Sequence, residues 1–461
     1  MSTKYDFIIV GSGSSGGALA YYLHQSGAKV LLIEAGQFYR KNTFPRTEAE
    51  TSAHLYWGGG IEFSKDARMG FLRARLVGGS SIVYQCLMDR FDDLAFHDWK
   101  LESGVNWFTL PDMESHYHAV ENDLALYTFK QEDRNGNARL FSDACDKLGY
   151  KWHYLRRGQS DCCMGVHNDC INCLGGCHRD SKQSSMVAFI QKAEKEGLEI
   201  ATDIEIQYFE HKKDSVTVYG HHRGGKISFT GSKMILAGGA FGSTKVMYQS
   251  GYKKKLPALG TRFASHPQFM WYGFQREPVD AHKHMFQSVA SKDASFRQQG
   301  FKLENVFAPP ISTSMLFTAT GSAHQDFLKR YRHMQCIEVA VRDENVGTIQ
   351  VDKKGKLIVD KPLTAQDLHR KSKGLEAIKN ILVAAGAYEV YESQMYFGLH
   401  LMGGCVMGTD DDKSVVNPEF QVHGLKNVFI ADSSIFPNAP GINPSLTIMS
   451  LAHKLAAQLI K

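Results

Sequence analysis

Asp6 to Val10 reads Asp-Phe-Ile-Ile-Val, a short unbroken apolar run, and Lys29 to Ile33 is a second. Such runs suit strands buried on both faces of a sheet. Between them, Ala18 to Ser26 carries helical periodicity, so the chain is expected to open with a strand–helix–strand unit. Similar apolar strands are predicted at Leu198–Ala201, at Lys233–Ala240 running into a glycine turn, and at Asn427–Asp432. Phe269–Gly273, Gln335–Val341 and Thr348–Val351 read as strands of a further sheet, Thr364–Ala385 as one long helix, and Ser445–Leu459 as an apolar-rich closing helix.

A chain of 461 residues is too long for one small core and suits two intimately joined domains. Its 43% hydrophobic and 22% charged residues are ordinary for a soluble globular enzyme. The net charge of +5 is small, and no Lys/Arg run dominates a segment, which argues against nucleic acid. Lys253-Lys254-Lys255 reads as a solvated loop. Met1 to Lys4 is short and polar, with no signal peptide, and no apolar run is long enough to span a bilayer. A cytoplasmic, soluble protein is expected, and export to the periplasm, folded with a partner carrying the address, is compatible with this.

The first strand runs into Gly11-Ser12-Gly13-Ser14-Ser15-Gly16-Gly17, the GxGxxG fingerprint between strand and helix. Gly11 permits the tight turn, Gly13 lets backbone approach a pyrophosphate, and Gly16 lets the helix pack on the strand. The helix N-terminus stabilises the diphosphate. Glu34, followed by Ala35, ends the second strand, where a carboxylate can accept ribose hydroxyls. That favours FAD or NAD over NADP. Three later blocks follow. They are Arg73 to Ser81, with Gly78-Gly79-Ser80-Ser81; Ala237-Gly238-Gly239-Ala240-Phe241-Gly242-Ser243; and Gly398 to Gly408, with His400 inside His-x-x-Gly-x-Cys-x-Met-Gly.

In this order the blocks resemble the glucose–methanol–choline (GMC) oxidoreductases from end to end. The resemblance implies an α/β fold, with a Rossmann-like FAD-binding domain and an α+β substrate domain built on an antiparallel sheet. It divides the chain into FAD-binding segments 1–120, 182–260 and 398–461, a Cys-rich connection 121–181 and a substrate domain 261–397. It places Gly78 to Ser81 near the flavin ring, Ile206 where the family holds adenine through its backbone, and Asp432 where it anchors the diphosphate or ribityl chain. Ala237, Gly238, Asn443 and Pro444 complete the expected cofactor contacts. One departure is Tyr84, where many members carry Asn. The chain is also short for the family, which implies lost lids or insertions.

Oxidising an alcohol by hydride transfer needs a base for the hydroxyl proton, and histidine titrates in the useful range. His400 matches the family's catalytic histidine. Asn443, on the loop before the last helix, matches its second position, where Asn positions the alcohol oxygen without competing for the proton. His423, His453, His221-His222, His116 and His118 have no such context and read as surface or structural. Phe307, Phe317, Tyr396 and Phe397 are candidates for the pocket wall, with core packing the ordinary role for each.

Nine cysteines are present, and five of them, Cys162, Cys163, Cys170, Cys173 and Cys177, are clustered. Clustering in a long chain points to metal or redox chemistry rather than a disulfide framework. The segment resembles GMC dehydrogenases with a three-iron, four-sulfur cluster, for which Cys162, Cys163 and Cys170 would be the first ligands. It also resembles long-chain alcohol oxidases, through Gly176-Cys177 and Lys182-Gln183-Ser184. Structural zinc, a disulfide or reduced thiols are the other readings. A cluster would pass electrons singly to a cytochrome or quinone, with a cytochrome subunit and a small chaperone-like subunit as partners. The expected enzyme is thus an FAD-dependent alcohol dehydrogenase acting on a polyol, sugar, sterol or long-chain alcohol. An oxidase making peroxide, a non-catalytic electron-transfer flavoprotein and an NAD enzyme are the rivals.

Overall fold

The computed structural model describes residues 5–163 and 173–460. Among these, seven strands form the first sheet, in the order Glu199–Ala201, Val30–Ile33, Tyr5–Val10, Gly225–Leu236, Ser215–His222 and Ile204–Lys212, with Val428–Ile430 also on Gly225–Leu236. Tyr5–Val10 runs parallel to both neighbours. Ile8, Ile9 and all of Val30–Ile33 are buried, as continuous apolar runs require in a sheet covered on both faces. Helix Ser14–Gln25 buries Ala18, Leu19, Ala20 and Leu23. The closing helix Ser445–Leu459 packs beside it with Leu446, Met449, Ala452, Leu455 and Ala456, a stripe at three- and four-residue steps.

The second sheet has nine strands, mostly antiparallel. Its centre is Pro267–Phe274 against Met334–Val341, then Phe301–Asn305, Val289–Ser291 and Trp152–Tyr154. On the other side of Pro267–Phe274 lie Tyr396–Gly398, Met69–Phe71 and Glu62–Phe63. Residues 1–120 therefore do not all stay with the first sheet, and the Cys-rich connection also supplies an edge strand. Strands of two or three residues carry no readable alternation, so the pattern gave no sign of these crossings. Thr348–Val351 also differs from expectation, pairing only with Leu357–Asp360 in a separate hairpin.

Period-two alternation sorts the second sheet into two faces. Phe269, Leu303, Ile337, Val339 and Val341 pack with Phe141 of helix Gly136–Leu148 and Ile378, Ile381 and Leu382 of helix Ala365–Ala384. The intervening positions face the other way, where Tyr272, Phe274, Met334 and Cys336 pack with Val279, Phe286 and Phe327. Among the described residues no helix is long and apolar enough to cross a membrane.

Two histidines tie the last helix to helix Leu110–Asp123. Nδ1 of His116 lies 2.8 Å from Nδ1 of His453. Burial, then Lys454 and His453, push His116 down to about 4, and burial also lowers His453. Both are neutral in the native state at pH 7. As pH falls from 6.5, the unfolded chain takes up protons before the folded one. Stability present above pH 6.5 is therefore expected to fall between pH 6.5 and about 4, by on the order of 2 kcal/mol. Thermal melts of the wild type and His453→Gln across this range check it; the variant's melting temperature should depend less on pH.

Candidate active site

One cavity of about 750 Å³ lies between the glycine ends of the first sheet and the inward face of the second. Gly11, Ser12, Gly13, Ser14 and Ser15 line it, with Glu34 and Ala35. Gly79, Ser80, Ser81, Ile206, Ala237 and Gly238 line it as well, and so do His400, Asp432, Asn443 and Pro444. Gly16 and Gly78 serve from behind. A Cβ on Gly16 would stand 1.8 Å from the Gly11 carbonyl, so the first helix reaches the turn only with glycine there. At Gly13 nothing lies within 4 Å of the equivalent point. The backbone is bare on the side facing the cavity, as a pyrophosphate cradle requires.

The carboxylates around this cradle are fixed by the chain. Glu34 accepts from the Ser12 hydroxyl at 2.6 Å, the Ser12 N–H at 3.1 Å and the Gly36 N–H at 2.9 Å. The Gly78 N–H in turn donates to the Ser12 hydroxyl at 3.0 Å, which docks the Gly78–Ser81 loop on the fingerprint. Asp432 accepts from the Gly239 N–H at 2.8 Å and the Ser243 hydroxyl at 2.5 Å, at the start of helix Gly239–Gln249. Burial raises both carboxyls, against these hydrogen bonds. An open glycine loop, two helix N-termini and an acidic residue ending the second strand fit an adenine dinucleotide.

His400 follows strand Tyr396–Gly398, and its Nδ1 lies 2.9 Å from Nδ1 of His266. His266 is buried where the chain enters strand Pro267–Phe274, and its Nε2 accepts the Gly441 N–H at 2.9 Å. The neutral His266 therefore carries its proton on Nδ1 and donates it to His400, which leaves the resting His400 proton on Nε2. Ser265, just before it, donates its N–H to Asp343 at 3.1 Å, and Asp343 pairs with buried Lys361 at 2.8 Å. The Gly441 turn is braced by Arg342, whose Nε donates to the Ala439 carbonyl at 2.9 Å. Burial pushes His400 down to about 4, with Glu304 and Asp89 opposing and Lys302 assisting. His266 also falls well below the usual range, first through burial and then through His400.

Sequence reading did not find His266; its one mark is that it precedes Pro267 at a strand start. Nor did it find the polar wall of Gln268, Gln287, Glu304 and Glu338. Phe307 and Phe397 line the cavity, whereas Phe317 and Tyr396 pack in the core. Tyr84 lines the cavity too, with its hydroxyl 3.4 Å from the Cys86 sulfur.

Of the expected thiolate ligands, Cys170 lies outside the described residues. Cys162, Cys163, Cys173 and Cys177 do not line the cavity, and among the described residues no three of these sulfurs lie within 4.8 Å of one another. Cys173 instead accepts from buried Arg157 at 3.0 Å. Burial opposes ionisation there, yet Lys182 and Arg157 together hold the thiol below its ordinary value.

Comparison with known proteins places these features in one lineage. Sequence profiles described as GMC oxidoreductase match residues 52–268 and 347–452, together most of the chain, and one for an NAD(P)-binding Rossmann-like domain matches 9–66. A long-chain-alcohol oxidase of Arabidopsis thaliana is 24% identical, over 99% of this chain and 67% of its own length. Pyridoxine 4-oxidase from Mesorbium loti superposes with a TM-score of 0.79 at 17% identity, over 99% of both chains. A fungal aryl-alcohol oxidase gives 0.72 at 13% identity, over 100% of this chain and 99% of that one. At such identities the structural likeness shows a shared fold.

The two glycines should separate folding from cofactor binding. Gly16→Ala is expected to lower the melting temperature and lose flavin together. Gly13→Ala should fold normally, because its methyl meets open space, yet retain FAD at least tenfold more weakly. Melting curves and flavin absorbance of the purified variants check both.

Proposed function

The chain belongs to the GMC oxidoreductase family, FAD-dependent enzymes acting on CH–OH donors, and on that basis we propose that it oxidises an alcohol to its carbonyl, with His400 handling the hydroxyl proton. The observation that carries this is the placing of His400 and Asn443 on the same cavity as the dinucleotide cradle. Bound in the cradle, FAD supplies the hydride acceptor. The relatives named as oxidases of long-chain alcohols, pyridoxine and aryl alcohols support an alcohol as the donor.

His400 is neutral at pH 7, as a base must be before it acts. Its base form toward substrate is the tautomer with the proton on Nδ1. Reaching it moves the proton between the two Nδ1 atoms onto His400 while the Nε2 proton of His400 leaves and His266 takes one up at Nε2, so that both rings stay neutral and His266 gives up its contact with the Gly441 N–H. The resting tautomer has the opposite use, as an N–H donor to the substrate oxygen. Asn443 adds a second polar group to hold that oxygen while C–H faces the flavin.

Electrons then pass to an external acceptor. Oxygen is the acceptor implied by the relatives' names. A second reading, a dehydrogenase using the Cys-rich segment, is favoured by one observation, the ionisable Cys173 held between Arg157 and Lys182.

Anaerobic mixing of the FAD-loaded enzyme with an alcohol should bleach the flavin bands, and His400→Ala should slow bleaching by about 100- to 10,000-fold. Unchanged bleaching in that variant would sink the assignment. The acid limb of kcat/KM should lie below pH 6.5, toward 4, because the free enzyme's His400 resists protonation. Reoxidation by air with stoichiometric peroxide would mark an oxidase. Slow reoxidation, with a broad iron–sulfur absorbance beneath the flavin, would mark the dehydrogenase.

A further inference from the structure

The cavity wall supplied by the second sheet is polar where simple alcohol oxidation does not require it. Gln268, Glu304 and Glu338 alternate with the apolar residues that pack on the helices, so all three face the cavity. Register places Glu304 directly across from Glu338, and Glu338 across from Met270, two residues along from Gln268. Each of the three is 3% exposed. Burying such groups costs free energy unless each finds a partner.

Most of the partners are on the wall itself. Lys302 sits 2.6 Å from Glu304 and 3.3 Å from Asp89, so two carboxylates share its ammonium. Gln287 donates to Glu304 at 2.7 Å. Two buried carboxyls in contact cannot both ionise. Burial first, and then the charge of Glu304, keep Glu338 protonated. The carbonyl oxygen of Gln268 has no hydrogen-bond partner among the described residues. The Glu338 proton is given to Glu304, so the wall offers the cavity an unfilled acceptor near His400. A hydroxyl donates to it without bringing a charge, and Lys302 already supplies an ammonium at this wall.

We propose that Gln268, Glu304 and Glu338 bind a second hydroxyl of the substrate, so that the preferred donors are diols or polyols with an apolar remainder. This rests on the alcohol-oxidation reading above. Met270, Phe286, Val306, Phe307, Phe397 and Leu399 line the same cavity and accommodate the carbon skeleton. A plain alkanol leaves the buried acceptor unfilled, a penalty that discriminates strongly.

The test compares 1-hexanol, 1,2-hexanediol and 2-amino-1-hexanol on the FAD-loaded enzyme, by anaerobic flavin reduction and by kcat/KM. The diol is expected to exceed hexanol by about 100-fold or more. Glu338→Gln should keep that gap, since an amide N–H donates where the carboxylic O–H did. Glu338→Met should lower the diol's kcat/KM at least tenfold more than hexanol's. Equal rates for hexanol and diol, or a preference for the amino alcohol, would overturn the proposal. So would equal losses in the Gln and Met variants, which would point to a recognised charge. If none of the three reduces the wild-type flavin, the alcohol-oxidation reading fails instead. Dissociation constants from perturbation of the flavin bands then decide the subsite alone: tighter binding of the diol supports it, and equal binding refutes it.

Discussion

The contact between His266 and His400 joins three parts of the chain that lie far apart in sequence. His266 opens the central strand of the second sheet, His400 follows that strand's neighbour, and Gly441 precedes the closing helix of the first domain. Each imidazole nitrogen of His266 is used, one by Gly441 and one by His400. The ring therefore fixes a tautomer as well as a position. Any drift of one domain against the other would break a buried hydrogen bond at the cavity wall. The pairs around it, Asp343 with Lys361 and Arg342 with the Ala439 carbonyl, brace the same junction.

The second sheet shows why one element can build both a core and a site. Its helix-packed face is aliphatic and aromatic, and its cavity face carries Lys302, Glu304, Glu338 and Gln268. The two sets are interleaved at single-residue spacing, so a one-residue slip in register would put charges into the core. The register is thus held by the cost of misplacing Glu338 as much as by Ile337 and Val339 packing on the helices.

The first domain was legible in the chain because its signals are local. A strand, a glycine turn and a helix occupy Tyr5 to Gln25 without interruption, and the closing helix Ser445–Leu459 has the bounds its apolar pattern predicts. That His400 and Asn443 line the cavity was readable through the blocks around them. His266 was not, because its role arises from meeting Gly441 and His400, and no spacing along the chain encodes that meeting. The polar wall was hidden for a related reason. In Gln335 to Val341 a lone Glu338 reads as a half-exposed strand position, and only pairing with Glu304 reveals two carboxyls in one dry place. Of the five clustered cysteines, Cys170 lies outside the described residues, and the contact of Cys173 with Arg157 was not readable from spacing.

On the proposed reading, an alcohol gives up a proton and a hydride, and His400 would hold the proton within this cavity. The burial that keeps His400 neutral also makes its protonated form costly. A drop from 6.5 to about 4 corresponds to roughly 3 kcal/mol against the cation. The Gly11–Gly16 loop and Asp432 would hold FAD, which would supply hydride acceptance, and negative charge gained there would make an imidazolium at His400 far less costly than one alone. A buried histidine whose cation is disfavoured at rest would suit a reaction that creates its counter-charge, and of its charged neighbours Glu304 and Asp89 favour the cation while Lys302 opposes it.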